Sequence, residues 1–250
     1  MQTRVKTPDE IKRIRESGRM LAAIHQQIRQ FVKAGTTGLD VSALCKRELK
    51  AFGATAPFLG FEGYPDVICI SVNDEVVHGI PNDIQFQSGD LVTFDFGVTW
   101  QGMVTDSAFS MFVGGKAPNK QAQQLLDTTN ASLDAGIAAV KDGIKTGDIG
   151  AAVQAAVGKK FGIVRELVGH GVGHELHEGP DIPNYGKAGT GATLKAGMTI
   201  AIEPMITLGD YRVLVDADGW TIRTRDGSLA AHAEHTVLIT ETGAEVLTSL

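Results

Sequence analysis

Two seven-residue stretches decide the fold of this chain: Gly89-Asp-Leu-Val-Thr-Phe-Asp95 and Gly197-Met-Thr-Ile-Ala-Ile-Glu203. Each begins with a glycine, continues through a mostly apolar run typical of a buried strand, and ends in a carboxylate. The two stretches lie 108 residues apart, and the same offset relates further pairs, Val32-Lys33-Ala-Gly35 to Val140-Lys141-Asp-Gly143 and Asp40-Val41 to Asp148-Ile149. One offset shared by separate segments indicates an internal repeat.

Around these stretches, the pattern is two helices followed by strands, and then the same order again. The first helix begins at Thr7-Pro8-Asp9-Glu10, which is a capping box, and apolar spacing carries it to about Gly35. We predict the other helices at 39–52, 119–140 and 148–160, and strands at 67–72, 91–99, 103–113, 164–168, 198–205, 212–217, 221–225 and 233–240. The sequence therefore predicts an α/β (α+β) protein with one domain, 1–250, made of two αα-β halves at about 1–115 and 116–250.

Composition excludes several classes of protein. The chain has 250 residues, of which 43% are hydrophobic, so it can bury a sizeable core. A net charge of −6 argues against specific or nonspecific nucleic-acid binding. Two cysteines, Cys45 and Cys69, exclude a disulfide scaffold and suit a reducing cytosol. The apolar runs are too short for a transmembrane helix, and the first residues do not resemble a signal peptide. We therefore expect a cytoplasmic protein with no membrane partner.

Each predicted half carries two carboxylates in its strands. A hairpin centred on Trp100-Gln101 makes Asp95 and Asp106 direct cross-strand partners. Facing carboxylates repel each other, so they are tolerated if one is protonated or if a cation lies between them. Either Asp, taken alone, could instead cap a turn or pair with a lysine.

The second half repeats this arrangement. A hairpin centred on Asp218-Gly219, a preferred type I′ turn, places Glu203 opposite Glu234, provided that no bulge shifts the register. Two acid pairs related by a repeat favour metal binding over protonation.

Three histidines follow in the glycine-rich stretch 167–178, whose spacing does not match the zinc-protease motif His-Glu-x-x-His. We expect His170, at the end of an apolar strand, to be a metal ligand, whereas His174 could equally be a surface loop residue. One histidine with four carboxylates suits Mn²⁺, Fe²⁺ or Co²⁺, and such a set can hold two ions. His78 precedes a glycine turn, where a structural and a functional interpretation are equally open, and His25 is expected on the surface of the first helix.

Together these motifs resemble those of the bacterial type I methionine aminopeptidases. The resemblance covers nearly the whole chain and rests on segments in the family's order and spacing: Asn73-Asp-Glu-Val-Val-His-Gly-Ile-Pro81, Asp95-Phe-Gly97, Asp106, Gly169-His-Gly-Val-Gly173, His177-Glu178, Ile202-Glu-Pro-Met205 and Glu234-His-Thr236. The resemblance implies the pita-bread fold, in which two pseudo-symmetric halves surround a central curved antiparallel sheet. This agrees with the repeat.

The resemblance also implies a dinuclear metal site in a single catalytic domain. One ion would be held by Asp106, His170, Glu203 and Glu234, and the other by Asp95, Asp106 and Glu234. A hydroxide bridging the two ions would attack the peptide, with Glu203 as the general base. The ions would be Fe²⁺, Mn²⁺ or Co²⁺, with Zn²⁺ also compatible.

The implied substrate is the N-terminal methionine of nascent polypeptides, with a preference for a small second residue. His177 would stabilise the oxyanion and His78 would contact the scissile amide nitrogen. The methionine side chain would lie against Phe58, Phe61, Tyr64, Cys69 and Trp220, although sequence alone would equally allow ordinary core roles for these aromatics. The family further implies a monomer that associates transiently with the ribosome.

Five positions differ from the commoner family pattern: Phe58, Phe61, Leu176, Ala201 and His232, the last of which replaces a glutamine. None is an expected metal ligand, so they leave the pocket shape and substrate range open. Two other functions are considered: a proline-specific peptidase of the same fold, and a non-catalytic pita-bread protein that binds partners. The second would be expected to lack metal ligands.

Overall fold

The computed structural model describes residues 2–249; Met1 and Leu250, the two ends of the predicted domain, lie outside the described residues. The structure has helices α1 (Pro8–Phe31), α2 (Gly38–Phe52), α3 (Lys120–Ala139) and α4 (Thr146–Val157). Its strands are β1 (Ile68–Val72), β2 (Glu75–Val77), β3 (Leu91–Trp100), β4 (Met103–Phe112), β5 (Gly162–Ile163), β6 (Gly169–Gly171), β7 (Glu178–Ile182), β8 (Thr199–Ile202), β9 (Met205–Thr207), β10 (Val213–Val215), β11 (Ile222–Thr224), β12 (Ala230–His232), β13 (His235–Ile239) and β14 (Ala244–Val246).

The helix boundaries follow local chemistry. The predicted capping box is confirmed, because Glu10 N donates to Thr7 Oγ1 (3.3 Å) and Thr7 N donates to Glu10 Oε2 (2.8 Å). Helix α4 ends earlier than predicted because Gly158, with φ of 71°, leaves the helical conformation. The strand predicted at 164–168 is wrong, since this segment is a connection between β5 and β6. The short strands β2, β5, β6, β7, β12 and β14 were not predicted.

The repeat is confirmed in the backbone. Helices α2 and α4 begin 108 residues apart, and so do β3 and β8. Gly35 N donates to Phe86 O (2.9 Å), and the equivalent Gly143 N donates to Leu194 O (3.0 Å). These matched hydrogen bonds show that the two halves share a local architecture as well as an element order.

Two antiparallel sheets and two helix pairs make up the halves. One sheet has the strand order β1-β3-β4 and the other β14-β13-β8-β6-β7. Of two smaller sheets, β10-β11-β2 joins the halves through the pairing of β2 with β11, and β12-β9-β5 lies within the second half. Helices α1 and α2 bury residues such as Ile24 and Leu44 with Phe94 of β3, whereas Ile149 of α4 packs with Val237 of β13. The architecture is thus a mixed α/β fold with antiparallel sheets. Within the part of the chain that is described, none of the helices combines the length and apolarity that crossing a membrane requires.

The hairpin of β3 and β4 turns one residue later than predicted. Trp100 pairs with Met103, so the turn is Gln101-Gly102. A type I′ turn needs positive φ at both central residues, and these two have φ of 47° and 76°. Glycine reaches such angles without strain, which is why the turn centres here rather than on Trp100-Gln101.

This shift changes the relation of the first acid pair. Asp95 lies opposite Ala108, and Asp106 lies opposite Gly97, so the predicted direct pairing of the two aspartates is wrong. They are instead diagonal neighbours on one face of the sheet, where side chains still come within reach of each other.

The long hairpin of the second half keeps one register throughout. Ile202 pairs with His235 and Met205 pairs with His232, which leaves Glu203 opposite Glu234 as predicted. The same alignment continues through β10 and β11.

The tip of this hairpin differs from the predicted type I′ turn. Gly219 N donates to Asp216 O (3.0 Å), and Gly219 (φ 79°) has a positive φ whereas Asp218 does not. The tip is therefore a four-residue loop with the same centre, so the register is unchanged.

Candidate functional site

One cavity of about 190 Å³ collects every residue proposed from the sequence for the site. Twelve such residues line it: Phe58, Phe61, Tyr64, Cys69, His78, Asp95, Asp106, His170, His177, Glu203, Trp220 and Glu234. Six further residues complete the lining: Glu62, Val77, Leu167, Val168, Leu176 and Met205. The cavity has an acidic end and an apolar end.

At the acidic end, side chains from both halves converge. Asp106, His170 and Glu234 each offer a ligand atom, and these atoms lie within 4.8 Å of one another. Glu203 Oε1 lies 3.5 Å from His170 Nε2, and Asp95 neighbours Asp106 closely enough to perturb its titration. The three-donor group is thus extended by two more carboxylates.

Burial dominates the electrostatics of these acids. It raises the pKa of Asp95, Glu203 and Glu234 well above the usual range, and the neighbouring carboxylates add to the effect. Burial also raises the pKa of Asp106 to about 7. No Lys or Arg is among the described residues that line the cavity, so no side-chain cation offsets this charge.

Three carboxylate oxygens in this cluster are buried without a hydrogen-bond partner: Asp95 Oδ1, Asp106 Oδ1 and Glu234 Oε1. A buried acceptor that makes no hydrogen bond is costly, and a buried carboxylate without a counter-charge is more so. Divalent cations would satisfy both requirements, and an oxygen-rich set with one imidazole suits Mn²⁺, Fe²⁺ or Co²⁺. The residues present therefore fit a metal centre.

Glycines place His170 in this cluster. Strand β6 runs between β7 and β8, and a Cβ at Gly171 would lie only 2.7 Å from Gly179 O. The Nδ1 of His170 lies 2.9 Å from Gly171 O, so an N–H at Nδ1 donates to this carbonyl and leaves the Nε2 lone pair free. Burial lowers the pKa of His170 to about 3, which keeps the imidazole neutral.

Two further histidines lie between the acidic and apolar ends. The ring of His177 stands edge-on to that of His170, with centroids 4.4 Å apart, and edge-on to that of Phe61, at 5.0 Å. His78 has φ of 61°, in the left-handed region that a non-glycine residue rarely adopts. Burial lowers the pKa of both rings, for His78 to about 4, so both are neutral at pH 7.

Aromatic and sulfur-containing side chains form the apolar end. Phe58, Tyr64 and Cys69 are buried, and Phe61 and Trp220 are partly buried beside them. The Tyr64 hydroxyl lies within hydrogen-bond distance of Gly79 O (2.9 Å) and Ile68 O (3.1 Å), and its ring stands edge-on to that of Trp220 at 5.2 Å. These partners hold the pocket walls in place.

Four described histidines do not line the cavity, and for two of them, His174 and His25, the sequence allowed a surface position. His174 Nε2 lies 2.9 Å from Glu10 Oε1, so His174 contacts the first helix. The expectation of a surface position for His25 is wrong: its side chain is 6% exposed, its ring lies edge-on to Phe109, and burial lowers its pKa to about 3.

Comparison with known proteins places the chain in a family. A family model described as metallopeptidase family M24 matches residues 12–241. The chain is 41% identical over 244 residues to methionine aminopeptidase 1 of Bacillus subtilis, covering 97% of this chain and 98% of that relative. The chain belongs to metallopeptidase family M24, among its methionine aminopeptidases. It is accordingly a metal-dependent hydrolase with the aminopeptidase architecture.

Solved structures of this family have the same fold. The chain superposes on the methionine aminopeptidase of Thermotoga maritima with a TM-score of 0.97 at 43% identity, covering all of both chains. The prolidase of Pyrococcus furiosus, at 24% identity, shares the fold with a TM-score of 0.78 over 98% of this chain and 65% of that one. The predicted pita-bread fold is confirmed.

Sequence reasoning missed some of the residues in and around the cavity. Val77 and Met205 line the cavity from strands β2 and β9, but apolar strand residues carry no signal that separates cavity wall from core. His232 was noted only as a departure from the family pattern, yet its ring lies beside the acidic cluster. Its position two residues before Glu234, on the same face of an extended segment, was the available signal.

Proposed function

We propose that this protein removes N-terminal methionine from peptides and nascent proteins by metal-dependent hydrolysis. The observation that carries the proposal is that one cavity contains both a cluster of buried acids, three of whose oxygens have no hydrogen-bond partner, and an apolar pocket lined by aromatic side chains. The acid cluster suits divalent ions, and the pocket suits an apolar side chain of limited size.

We assign the ligands as the family resemblance implies. Asp106, His170, Glu203 and Glu234 would hold one ion, and Asp95, Asp106 and Glu234 the other, with Fe²⁺, Mn²⁺, Co²⁺ or Zn²⁺ as the metal. The unpartnered oxygens of Asp95, Asp106 and Glu234 support this assignment. Bound ions would supply an acidified water as the nucleophile.

The remaining steps belong to side chains of the cavity. Glu203 would accept a proton from the attacking water, since its carboxylate lies within the acid cluster, with Oε1 3.5 Å from His170 Nε2. His177, which stands beside His170, would donate an N–H to the developing oxyanion. His78 would hydrogen-bond the scissile amide nitrogen. Because both rings are neutral, each can donate one N–H while its other nitrogen accepts.

The apolar end would bind the methionine side chain. Phe58, Phe61, Tyr64, Cys69 and Trp220 provide aromatic faces and a thiol, which make favourable contacts with a thioether. A free α-amino group bound at the acidic end would restrict cleavage to the first residue. Crowding beyond the first residue would favour a small second side chain.

We also propose that residues 1–250 form a single catalytic domain, since both halves supply carboxylates to one cavity. The protein would act as a cytoplasmic monomer that associates transiently with ribosomes, without binding a specific nucleic acid. Both cysteines are free and buried, as a reducing compartment allows.

The decisive experiment compares Met-Ala-Ser with Xaa-Pro peptides, using protein loaded with Mn²⁺ or Co²⁺. We expect release of methionine from Met-Ala-Ser, faster than from Met-Lys peptides, and loss of at least about a hundredfold in the variant His170→Ala. Cleavage of Xaa-Pro peptides alone would indicate a proline-specific peptidase. An unchanged rate in His170→Ala would contradict the metal mechanism, and no cleavage at all would favour a binding protein.

A further inference from the structure

A second imidazole lies beside the acid cluster, outside the proposed set of ligands. His232, in β12, is only 1% exposed. Its Nε2 lies 3.8 Å from Glu203 Oε2 and 3.9 Å from Glu234 Oε2. Neither ring nitrogen has a hydrogen-bond partner, although both are buried. A buried N–H donor that makes no bond is costly, so its position next to two acids calls for an explanation.

The backbone of His232 is hydrogen-bonded to the first half of the chain. His232 N donates to Ser110 Oγ (3.0 Å), and the Ser110 hydroxyl donates to His232 O (2.8 Å). Ser110 Oγ lies 2.7 Å from Thr93 Oγ1 and so belongs to a polar contact between β3 and β4. Both polar backbone groups of His232 are therefore tied to one side chain of the other half. The fold therefore fixes the backbone position from which the ring extends beside Glu203.

Glu203 consequently lies between two imidazoles. Its Oε1 is 3.5 Å from His170 Nε2, and its Oε2 is 3.8 Å from His232 Nε2. The two rings differ in one respect. The Nδ1 of His170 lies within hydrogen-bond distance of a backbone carbonyl, which leaves Nε2 as a ligand atom, whereas the Nδ1 of His232 has no partner. His232 is thus free to carry its proton on Nε2, facing the acid.

We propose that His232 is a positioning residue of the metal centre, whose Nε2–H donates to Glu203 Oε2 and so directs the other oxygen toward the His170 side. A displacement of about 1 Å brings this pair to hydrogen-bond distance, and the flexible side chain of a glutamate allows it. Carboxylates that bind metal ions are commonly held by such an outer hydrogen bond. The proposal rests on the proposed function and adds a residue to it.

Three variants test this role. His232→Phe keeps a ring of similar size and removes both nitrogens, His232→Gln keeps an N–H donor, and His25→Phe is the matched control. The control removes another buried histidine whose Nε2 has no partner, but one whose ring packs against Phe109 rather than beside the acid cluster. Thermal unfolding of each metal-free variant verifies that it is folded.

The measurements are the dissociation constant for Co²⁺, followed by its visible absorption, and kcat and KM on Met-Ala-Ser at saturating Co²⁺. We expect His232→Phe to weaken Co²⁺ binding and lower kcat by about 10–100-fold each. KM should change by less than about threefold, because the methionine pocket is untouched. His232→Gln should recover most of both losses, and His25→Phe should match the parent protein.

Several results would overturn the proposal. One is a His232→Phe variant that keeps the Co²⁺ affinity and kcat of the parent protein, and another is a His232→Gln variant as impaired as His232→Phe. A third is the detection of two metal-bound imidazoles by pulsed EPR of the Cu²⁺-loaded protein, which would make His232 a direct ligand. Failure of the proposed function is distinguishable, because the parent protein would then bind Co²⁺ without cleaving Met-Ala-Ser, while the affinity comparison would still apply.

Discussion

The two acid pairs reach the same cavity by different routes, although a repeat relates the halves that carry them. Asp95 and Asp106 lie within the uninterrupted hairpin of β3 and β4, diagonally across from each other. Glu203 and Glu234 lie directly opposite each other where the second hairpin is interrupted, before Pro204 and after β12. Proline has no N–H to continue the ladder.

The interruption is compensated by contacts with the first half. Glu234 N donates to Ala108 O (2.9 Å), and the Ser107 hydroxyl donates to Glu234 O (2.7 Å). Within the second half, Asn184 Nδ2 donates to Glu203 O (3.0 Å).

Asp106 is bound to the second half in the same way, since its N donates to Thr236 Oγ1 (2.9 Å) and its O accepts from that hydroxyl (2.7 Å). The first pair thus lies in a continuous ladder and the second at a break in one, while hydrogen bonds between the halves anchor one member of each pair.

The largest loss of activity is expected from a substitution in the second acid pair. Glu203→Gln removes the proposed proton acceptor while keeping the side-chain size, and we expect kcat to fall by about 10²–10⁴-fold. The measurement is the rate of methionine release at saturating Co²⁺. Glu241→Gln, which changes an exposed acid of the same half, is the control and should be unaffected. A loss of less than about tenfold in Glu203→Gln would contradict the assignment of the base.

A smaller effect is expected for the first pair. Asp95→Asn should release one of the two ions and lower activity by about 10–100-fold, because Asp95 is assigned to only one of them. Equilibrium dialysis with elemental analysis gives the number of ions bound. If the variant binds no ion at all, the two pairs are not separable and the comparison fails.

Both pairs contribute to a pH effect on metal binding. Burial raises their pKa values in the folded, metal-free protein, for Asp106 to about 7, so the cluster holds protons to a higher pH than free carboxyl groups do. Ions bind the deprotonated form, so binding releases protons and the apparent affinity rises with pH from 6 to 8. Calorimetry of Co²⁺ binding in two buffers of different ionisation enthalpy measures the release. Zero proton release at pH 6 would contradict the raised pKa values.

The smallest effect concerns the two turns. Gly102→Ala and Gly219→Ala each place a side chain at a positive φ, of 76° and 79°, which should lower the free energy of unfolding by about 1–2 kcal/mol. Urea unfolding measures the loss. Asparagine tolerates these angles better, so Gly102→Asn and Gly219→Asn should lose less. Equal losses for alanine and asparagine would indicate that backbone strain is not the cause.

Turn chemistry shows how far sequence reasoning extends. Gly102 could have identified the correct turn from the sequence, because glycine readily adopts the positive φ that a type I′ turn requires at residues 101 and 102. The prediction placed the turn one residue earlier, and that alone exchanged direct for diagonal pairing of Asp95 and Asp106. Moving the turn by one residue changes the pairing of the strands by two residues. Because side chains alternate across a strand, both aspartates stay on the same face of the sheet and can still belong to one acid cluster.

Two histidines show the limit of what could be predicted from the sequence. Neither His25 nor His232 was expected in the interior, yet both are buried. The available signals were weak, since His25 only follows Leu21 by four residues and His232 only precedes Glu234 by two. Burial of a side chain at a helix or strand position depends on which element packs over it. In these two cases the covering element comes from a distant part of the chain, β4 over His25 and Ser110 beside His232.

The sequence by itself determined the repeat, the helix starts, the alternation of the strands and the residues that can carry metal chemistry, because caps, turns and hydrophobic periods act over a few residues. Only the tertiary structure decided which of these residues meet. It brought four carboxylates and an imidazole from both halves to one cavity beside an aromatic pocket, and it turned His232 toward Glu203. Such contacts join residues that are not neighbours in the sequence, several of them from different halves, and their geometry depends on how the two packed halves face each other.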